Sequence, residues 1–200
     1  MKPFLILFLM SASCLLLSCT ESRQKGSDVI GKDDIFSIRL KNPEGQNVDW
    51  KTDSTAKATV LFFLSPECPL CQGYTPLFRT YQTQYHGKGF RFFAIFPGRG
   101  YSSDEILKFR EAYHPGIPEL LDPDYLLSRK LGATITPEVF VLSNSGEVLY
   151  SGRIDDWAWE TGQRRISAGV HDLERALEEL TEGKKISVSK TQAVGCLIEK

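Results

Sequence analysis

Apolar and polar positions change period several times along the chain, and each change marks an element. Ile35 to Leu40 alternates apolar and polar residues, Asn42-Pro43-Glu44-Gly45 reads as a turn, and Val48 and Trp50 resume the alternation, which predicts a β-hairpin. Thr59 to Leu64 is a continuous β-rich apolar run, the pattern of a buried central strand. Tyr74, Leu77, Phe78, Tyr81 and Tyr85 then recur at spacings of three and four, one face of an amphipathic helix that Gly87 should close and Pro76 should kink. Phe90 to Phe96 is a second apolar strand. Ser102 to Tyr113 is a second helix, opened by Ser102 with Glu105 three residues on, the capping-box arrangement. A short third helix is expected from Asp122-Pro123 to Gly132. Glu138 to Leu142 and Glu147 to Gly152 flank the turn signal Asn144-Ser145-Gly146 and should pair antiparallel. Val170, Leu173, Leu177 and Leu180 mark the last helix, His171 to Glu182, which ends at Gly183.

Strands alternating with helices and ending in a hairpin predict an α/β fold, a mixed sheet with helices on both faces and an N-terminal β-hairpin. Composition supports one domain. The 200 residues are 42% hydrophobic, and 24 basic side chains against 25 acidic ones leave a net charge of -1. No long basic run is present, so nothing points to nucleic acid as a partner.

The two ends of the chain are different in kind. Lys2 followed by the apolar run Phe4 to Leu17 has the make-up of a signal peptide and is short for a bilayer span. It ends in Leu16-Leu17-Ser18-Cys19, which resembles the lipobox of bacterial lipoproteins; the resemblance implies cleavage before Cys19 and acylation of that residue. An uncleaved anchor and an ordinary secretory signal are the alternatives. The organisation read from the sequence is thus a signal peptide over 1–18, a polar tether over 19–34, a globular domain over 35–183 and a tail over 184–200. This puts the domain in the cell envelope, facing the periplasm or the exterior, where free thiols meet oxidising conditions. Of five cysteines, Cys14 would leave with the signal and Cys19 would carry lipid, so the mature domain keeps Cys68, Cys71 and Cys196. An odd thiol in an exported protein calls for an explanation.

Cys68-Pro69-Leu70-Cys71 lies between a buried strand and an amphipathic helix. Two residues between cysteines at a helix start let the sulfurs bond, and they expose the first sulfur to the unpaired N–H groups and the dipole of the first turn. Such settings lower a thiol pKa from about 8.5 to roughly 3.5–7.5. Cys68 is therefore the expected nucleophile, and Cys71, one turn inward, the resolving thiol. Alone, the spacing also suits half of a zinc site or a structural bond, but no second C-x-x-C or H-x-x-H is present to complete a zinc site.

The stretch Phe62 to Cys71, Pro76 five residues past the second cysteine, and Thr136-Pro137 before a strand resemble the thioredoxin superfamily over residues 35 to 183. More narrowly, the chain is similar to redoxins of the alkyl hydroperoxide reductase and thiol-specific antioxidant family. The resemblance implies a thioredoxin-like fold, no cofactor, a cis-proline at Pro137 beside the dithiol, and backbone groups of Thr136 offered to a bound substrate chain. It also has departures. Glu67 replaces the tryptophan that precedes the first cysteine in thioredoxins and should oppose thiolate formation. Phe62 and Phe63 fill the region where thioredoxins bury an acid, leaving Glu138 as a substitute or as a solvated strand-end carboxylate. Ser65 fits the peroxiredoxin Ser/Thr place, but Leu61 stands where their proline does.

The leading function is a membrane-tethered thiol-disulfide oxidoreductase, with protein or small-molecule thiols and disulfides as partners together with an electron donor. A copper-handling protein is the alternative, with Cys68, Cys71 and either His171 or Cys196 as ligands, since soft thiolates select cuprous ion; thiol peroxidase (antioxidant) activity is a third. His86 and His114 read as surface residues. Trp157 and Trp159, among Asp155, Asp156, Arg164 and Arg165, suit a partner-binding rim or packing over the sheet edge. Cys196 lies in a patch with Val194, Leu197 and Ile198. At about 3.3 Å per extended residue the tail can bring it to the dithiol as a third redox thiol; an inert buried cysteine and a bridge to another chain are the alternatives.

Overall fold

The computed structural model describes Met1 and residues 35–51, 56–160 and 163–199. The chain divides into two compact units, Met1–Gly31 and Lys32–Lys200, and every element below lies in the second. The signal segment beyond Met1, Cys19 and the tether lie outside the described residues. Among the described residues no helix is long and apolar enough to cross a membrane.

In chain order the strands and helices are β1 (Leu40–Lys41), β2 (Asn47–Val48), β3 (Ala58–Phe63), α1 (Pro69–Tyr85), β4 (Phe90–Pro97) and α2 (Ser103–Tyr113). They continue as β5 (Glu119–Asp122), α3 (Leu126–Leu131), β6 (Ile135–Thr136), β7 (Glu138–Leu142), β8 (Val148–Gly152), β9 (Ala158–Glu160), β10 (Gln163–Arg164), α4 (Asp172–Thr181) and β11 (Cys196–Leu197). Seven strands form one mixed sheet in the order β2-β1-β5-β4-β3-β7-β8. The pairs β3–β4 and β4–β5 are parallel, and β3–β7, β7–β8 and β1–β5 are antiparallel.

The central strands alternate between two cores, as the period of two along a strand requires. Val60, Phe62, Phe92, Ala94 and Phe96 face the core built with α1, α2 and α4, while Leu61, Phe63, Phe93 and Ile95 face Ile35, Leu40, Trp50 and Leu127 of α3. Phe62 packs on Phe78 at a ring separation of 4.4 Å, and Phe96 packs on Phe109 at 5.7 Å. Each such fully buried phenylalanine contributes about 1.5–3 kcal/mol.

Several expectations need correcting. The segment from Ile35 opens as a 3-10 turn, Ile35–Ser37, and only Leu40–Lys41 joins the hairpin. Helix α1 runs on through Pro76; the Gln72 carbonyl, which proline cannot serve with an N–H, accepts the Thr75 hydroxyl at 2.9 Å. A 3-10 turn, His86–Lys88, follows, so the left-handed closing residue is Gly89, not Gly87. The capping box at Ser102 and Glu105 is present.

The third helix starts four residues later than expected, because Glu119–Asp122 is a strand. It escaped the pattern reading because it is four residues long and begins and ends with a charged residue. Asp122 caps the helix from a distance: its buried carboxylate accepts the N–H groups of Leu127 (3.1 Å) and Ser128 (2.8 Å) and the Ser128 hydroxyl (2.8 Å). Asp122→Ala leaves these donors unserved in a site where Asp122 is 1% exposed. It should lower stability by roughly 1–3 kcal/mol, read as a reduced urea midpoint at unchanged slope. An unchanged midpoint would show that Asp122 does not hold this turn.

Candidate functional site

The antiparallel register of β3 and β7 sets Phe63 opposite Glu138. The residues that follow β3 and those that precede β7 therefore leave the sheet at the same point. The first run on to Cys68 and α1, the second are Thr136 and Pro137, and the Thr136–Pro137 peptide is cis. This brings the expected dithiol and the expected proline side by side, although 68 residues separate Cys68 from Thr136 in sequence.

Cys68 takes the N-cap position of α1 with extended backbone, and Pro69 begins the helix, where its missing N–H costs nothing. Cys68 is 2% exposed and Cys71 fully buried. Thr136 meets two of the three cysteines. Its carbonyl oxygen lies 3.3 Å from Cys68 Sγ, and its hydroxyl donates to the Cys196 carbonyl at 3.4 Å. Cys196 Sγ sits 2.9 Å from Cys68 Sγ.

The electrostatics separate the three sulfurs. Hydrogen bonding from the Cys71 thiol, then from the Cys196 thiol and the first-turn N–H groups of Cys71 and Leu70, pulls Cys68 down to about 5 against the opposing effect of burial. Burial and the neighbouring Cys68 thiolate push Cys71 well above the ordinary thiol range. The same two causes push Cys196 up to about 12. One thiolate is thus held by two thiols, either of which can become its disulfide partner. Glu67, expected to oppose ionisation, is exposed, and Cys68 is acidic in spite of it.

Other residues are placed more locally. The Glu138 carboxylate accepts the Thr134 N–H at 3.0 Å and braces the turn that carries the cis-proline. Ser65 gives its N–H to Cys71 Sγ at 3.5 Å, and its hydroxyl shares a 2.8 Å hydrogen bond with Tyr101. His86 and His114 are exposed. His171 is exposed ahead of α4, 4.0 Å from Glu174. Among the described residues, no group of three or more His, Cys, Asp or Glu side chains is arranged to hold a metal ion. Of the two third ligands considered for copper, His171 is exposed beside Glu174, whereas Cys196 does meet Cys68.

Trp157 packs edge-on against Tyr74 and lies over Gly73, so that tryptophan covers α1. Trp159 remains 46% exposed, with Arg165 stacked over it. Pattern reading missed the Tyr74–Asp155 hydrogen bond and Tyr101. Tyr101, beside Ser65 and Tyr125, lines a cavity of about 440 Å³ that opens onto Cys68 and Cys196. Each of these depends on long-range contacts that carry no local sequence signal.

Comparison with known proteins agrees with this geometry. Among curated proteins no relative matches the chain. A hypothetical protein from Sinorhizobium meliloti is 22% identical, with a TM-score of 0.68 over 80% of this chain and 89% of its own. An uncharacterized conserved protein from Geobacillus kaustophilus is 25% identical, with a TM-score of 0.67 over 82% and 88%. A secreted disulfide oxidoreductase of Mycobacterium tuberculosis, homologous to DsbE of E. coli, has the same fold at 15% identity, with a TM-score of 0.53 over 75% of this chain and 98% of its own. The Redoxin family model matches residues 31–158, well over half of the chain and the whole stretch from the N-terminal hairpin through the dithiol and cis-proline. The chain therefore belongs to the Redoxin family, the oxidoreductases of thioredoxin-like fold.

Proposed function

We propose that this redoxin is an extracytoplasmic, lipid-anchored thiol-disulfide oxidoreductase whose working groups are Cys68 and Cys71. The observation that carries the reading is a cysteine sulfur at the N-cap of α1, backed by a fully buried cysteine one turn inward and faced by the Thr136 carbonyl at 3.3 Å. Cys68 attacks a substrate disulfide, forming a mixed disulfide and releasing one substrate thiol. Cys71 then attacks Cys68 Sγ, releases the second substrate thiol and leaves a Cys68–Cys71 disulfide. A thiol donor from outside the chain restores the pair. Run in reverse, the same steps oxidise a substrate dithiol. Thr136 and Pro137 supply the backbone edge for an extended polypeptide substrate. The lipobox-like Leu16-Leu17-Ser18-Cys19 supports attachment through acylated Cys19, with 19–34 as the tether. The peroxidase reading is weaker, since the Ser65 hydroxyl is engaged by Tyr101.

Cys68→Ser should abolish disulfide exchange in an assay with a model disulfide. The double variant Cys71→Ser with Cys196→Ser should accumulate mixed disulfides, seen as thiol-sensitive adducts by mass; normal turnover by that variant would refute the assigned roles. A thiol ionises above its pKa, so Cys68, with its pKa at about 5, is a thiolate at pH 7. The thiolate absorbance of the reduced protein should persist as pH falls from 8 to 6 and disappear through about 5, and Cys68→Ser should lack it. The lowered pKa stabilises the reduced fold above the ordinary thiol value of about 8.5, and that stabilisation fades as pH falls toward 5. A midpoint near 8.5 would mean that Cys68 is not activated. In fractionated cells, Cys19→Ala should move the protein from membranes to the soluble fraction; continued membrane association would point to an uncleaved anchor.

A further inference from the structure

The dithiol leaves Cys196 unused, yet the tail around it is held to the domain by backbone hydrogen bonds along its length. After α4 the chain returns along β8: Ser151 donates its N–H to Ser189 and accepts that of Thr191, both at 3.0 Å. The Thr191 hydroxyl bonds the Tyr150 hydroxyl at 2.7 Å and the Arg153 N–H at 3.0 Å. A side chain at Gly152, φ +135°, would come within 2.3 Å of the Thr191 carbonyl, so the tail lies directly on this backbone. Ala193 is buried, and β11 pairs antiparallel with β6, Cys196 opposite Thr136 and Leu197 opposite Ile135. The Ile198 N–H closes the ladder on the Thr134 carbonyl at 2.9 Å. Gly195 is required: a Cβ there would lie 2.1 Å from the Thr136 oxygen. The tail thus occupies the edge beside the cis-proline that a substrate strand would use, and presents a sulfur 2.9 Å from Cys68 Sγ.

We propose that the tail is a built-in substrate strand and Cys196 a third redox thiol, exchanging disulfide partners with Cys68 inside one chain. This rests on Cys68 and Cys71 forming the redox pair. Starting from the Cys68–Cys71 disulfide, the Cys196 sulfur attacks Cys68 Sγ. The Cys196–Cys68 bond forms as the Cys68–Cys71 bond breaks, its electron pair leaves on Cys71, and Cys71 takes the proton that Cys196 gives up. No electrons enter or leave. The step locks β11 over Thr136, so a polypeptide disulfide reaches that edge only after the tail is released. Small thiols and disulfides can still approach through the cavity lined by Ser65, Glu67, Tyr101, Tyr125 and Glu199.

The test uses the full chain oxidised with diamide and digested without reduction. Cys71→Ser should give a Cys68–Cys196 linked peptide in monomeric protein. Adding Gly195→Val, which keeps Cys196 but unseats the strand, should abolish that peptide. Cys196→Ser should still form the Cys68–Cys71 bond. If Cys71→Ser yields only free thiols or bonds between chains while Cys196→Ser forms Cys68–Cys71, the third thiol is refuted and the oxidoreductase reading stands. If the linked peptide survives Gly195→Val, the docked strand is not what delivers Cys196. If Cys196→Ser fails to form Cys68–Cys71, the redox pair itself is wrong and this proposal falls with it.

Discussion

The reactive end of the domain depends on the pairing of β3 with β7. These strands run antiparallel with Phe63 opposite Glu138, so the chain leaving one and the chain entering the other meet at the same end of the strands. A shift of one residue would turn the side chains of β7 to the other face, exchanging Val139 and Val141 for Phe140 and Leu142 between the two cores. Burial on both faces therefore enforces the register, and the register puts Thr136 against Cys68. The site's geometry is inherited from the packing of phenylalanines and valines that take no part in its chemistry.

Within that frame the sulfurs divide their roles by environment. The three groups are chemically identical, yet Cys68 sits at the head of α1 with two thiols beside it, Cys71 is fully buried next to its charge, and Cys196 is partly buried next to it. Burial alone would raise all three. Directed hydrogen bonds overcome burial at Cys68, and the resulting thiolate keeps its neighbours protonated. An acidic neighbour at Glu67 does not change this balance, because an exposed carboxylate is screened by water whereas the thiols act at contact on a buried sulfur.

The tail is held by the same means as the sheet, through backbone pairing and close approach. Its two anchor regions differ in kind. Thr191 is fixed by side-chain hydrogen bonds at the end of β8, and Gly195 by the absence of a side chain over the Thr136 carbonyl. Between them a cysteine is delivered to a sulfur 128 positions away in sequence. A strand of two residues has little stability of its own, so the position of Cys196 is set by what lies on either side of it.

Much of this protein was determined by its sequence alone. Strands β3 and β4, helices α1, α2 and α4 and the β7–β8 hairpin follow from periodicity and capping, which are local. Cys68 and Cys71 could be read as a candidate dithiol from two residues of spacing at a helix start, and the cis peptide at Thr136–Pro137 was what the family resemblance implied. What escaped has a common cause. Strand β5, with charged residues at both ends, and the two-residue strands β6 and β11 are too short to show a period. The Asp122 cap, the Tyr74–Asp155 pair and the covering of α1 by Trp157 are contacts between distant segments. The sequence allowed Cys196 to reach the dithiol but did not decide where it goes; a flexible 17-residue reach from Gly183 admits many positions. Only the folded domain, with an open edge at Ile135–Thr136 and room there for a glycine backbone, selects one of them.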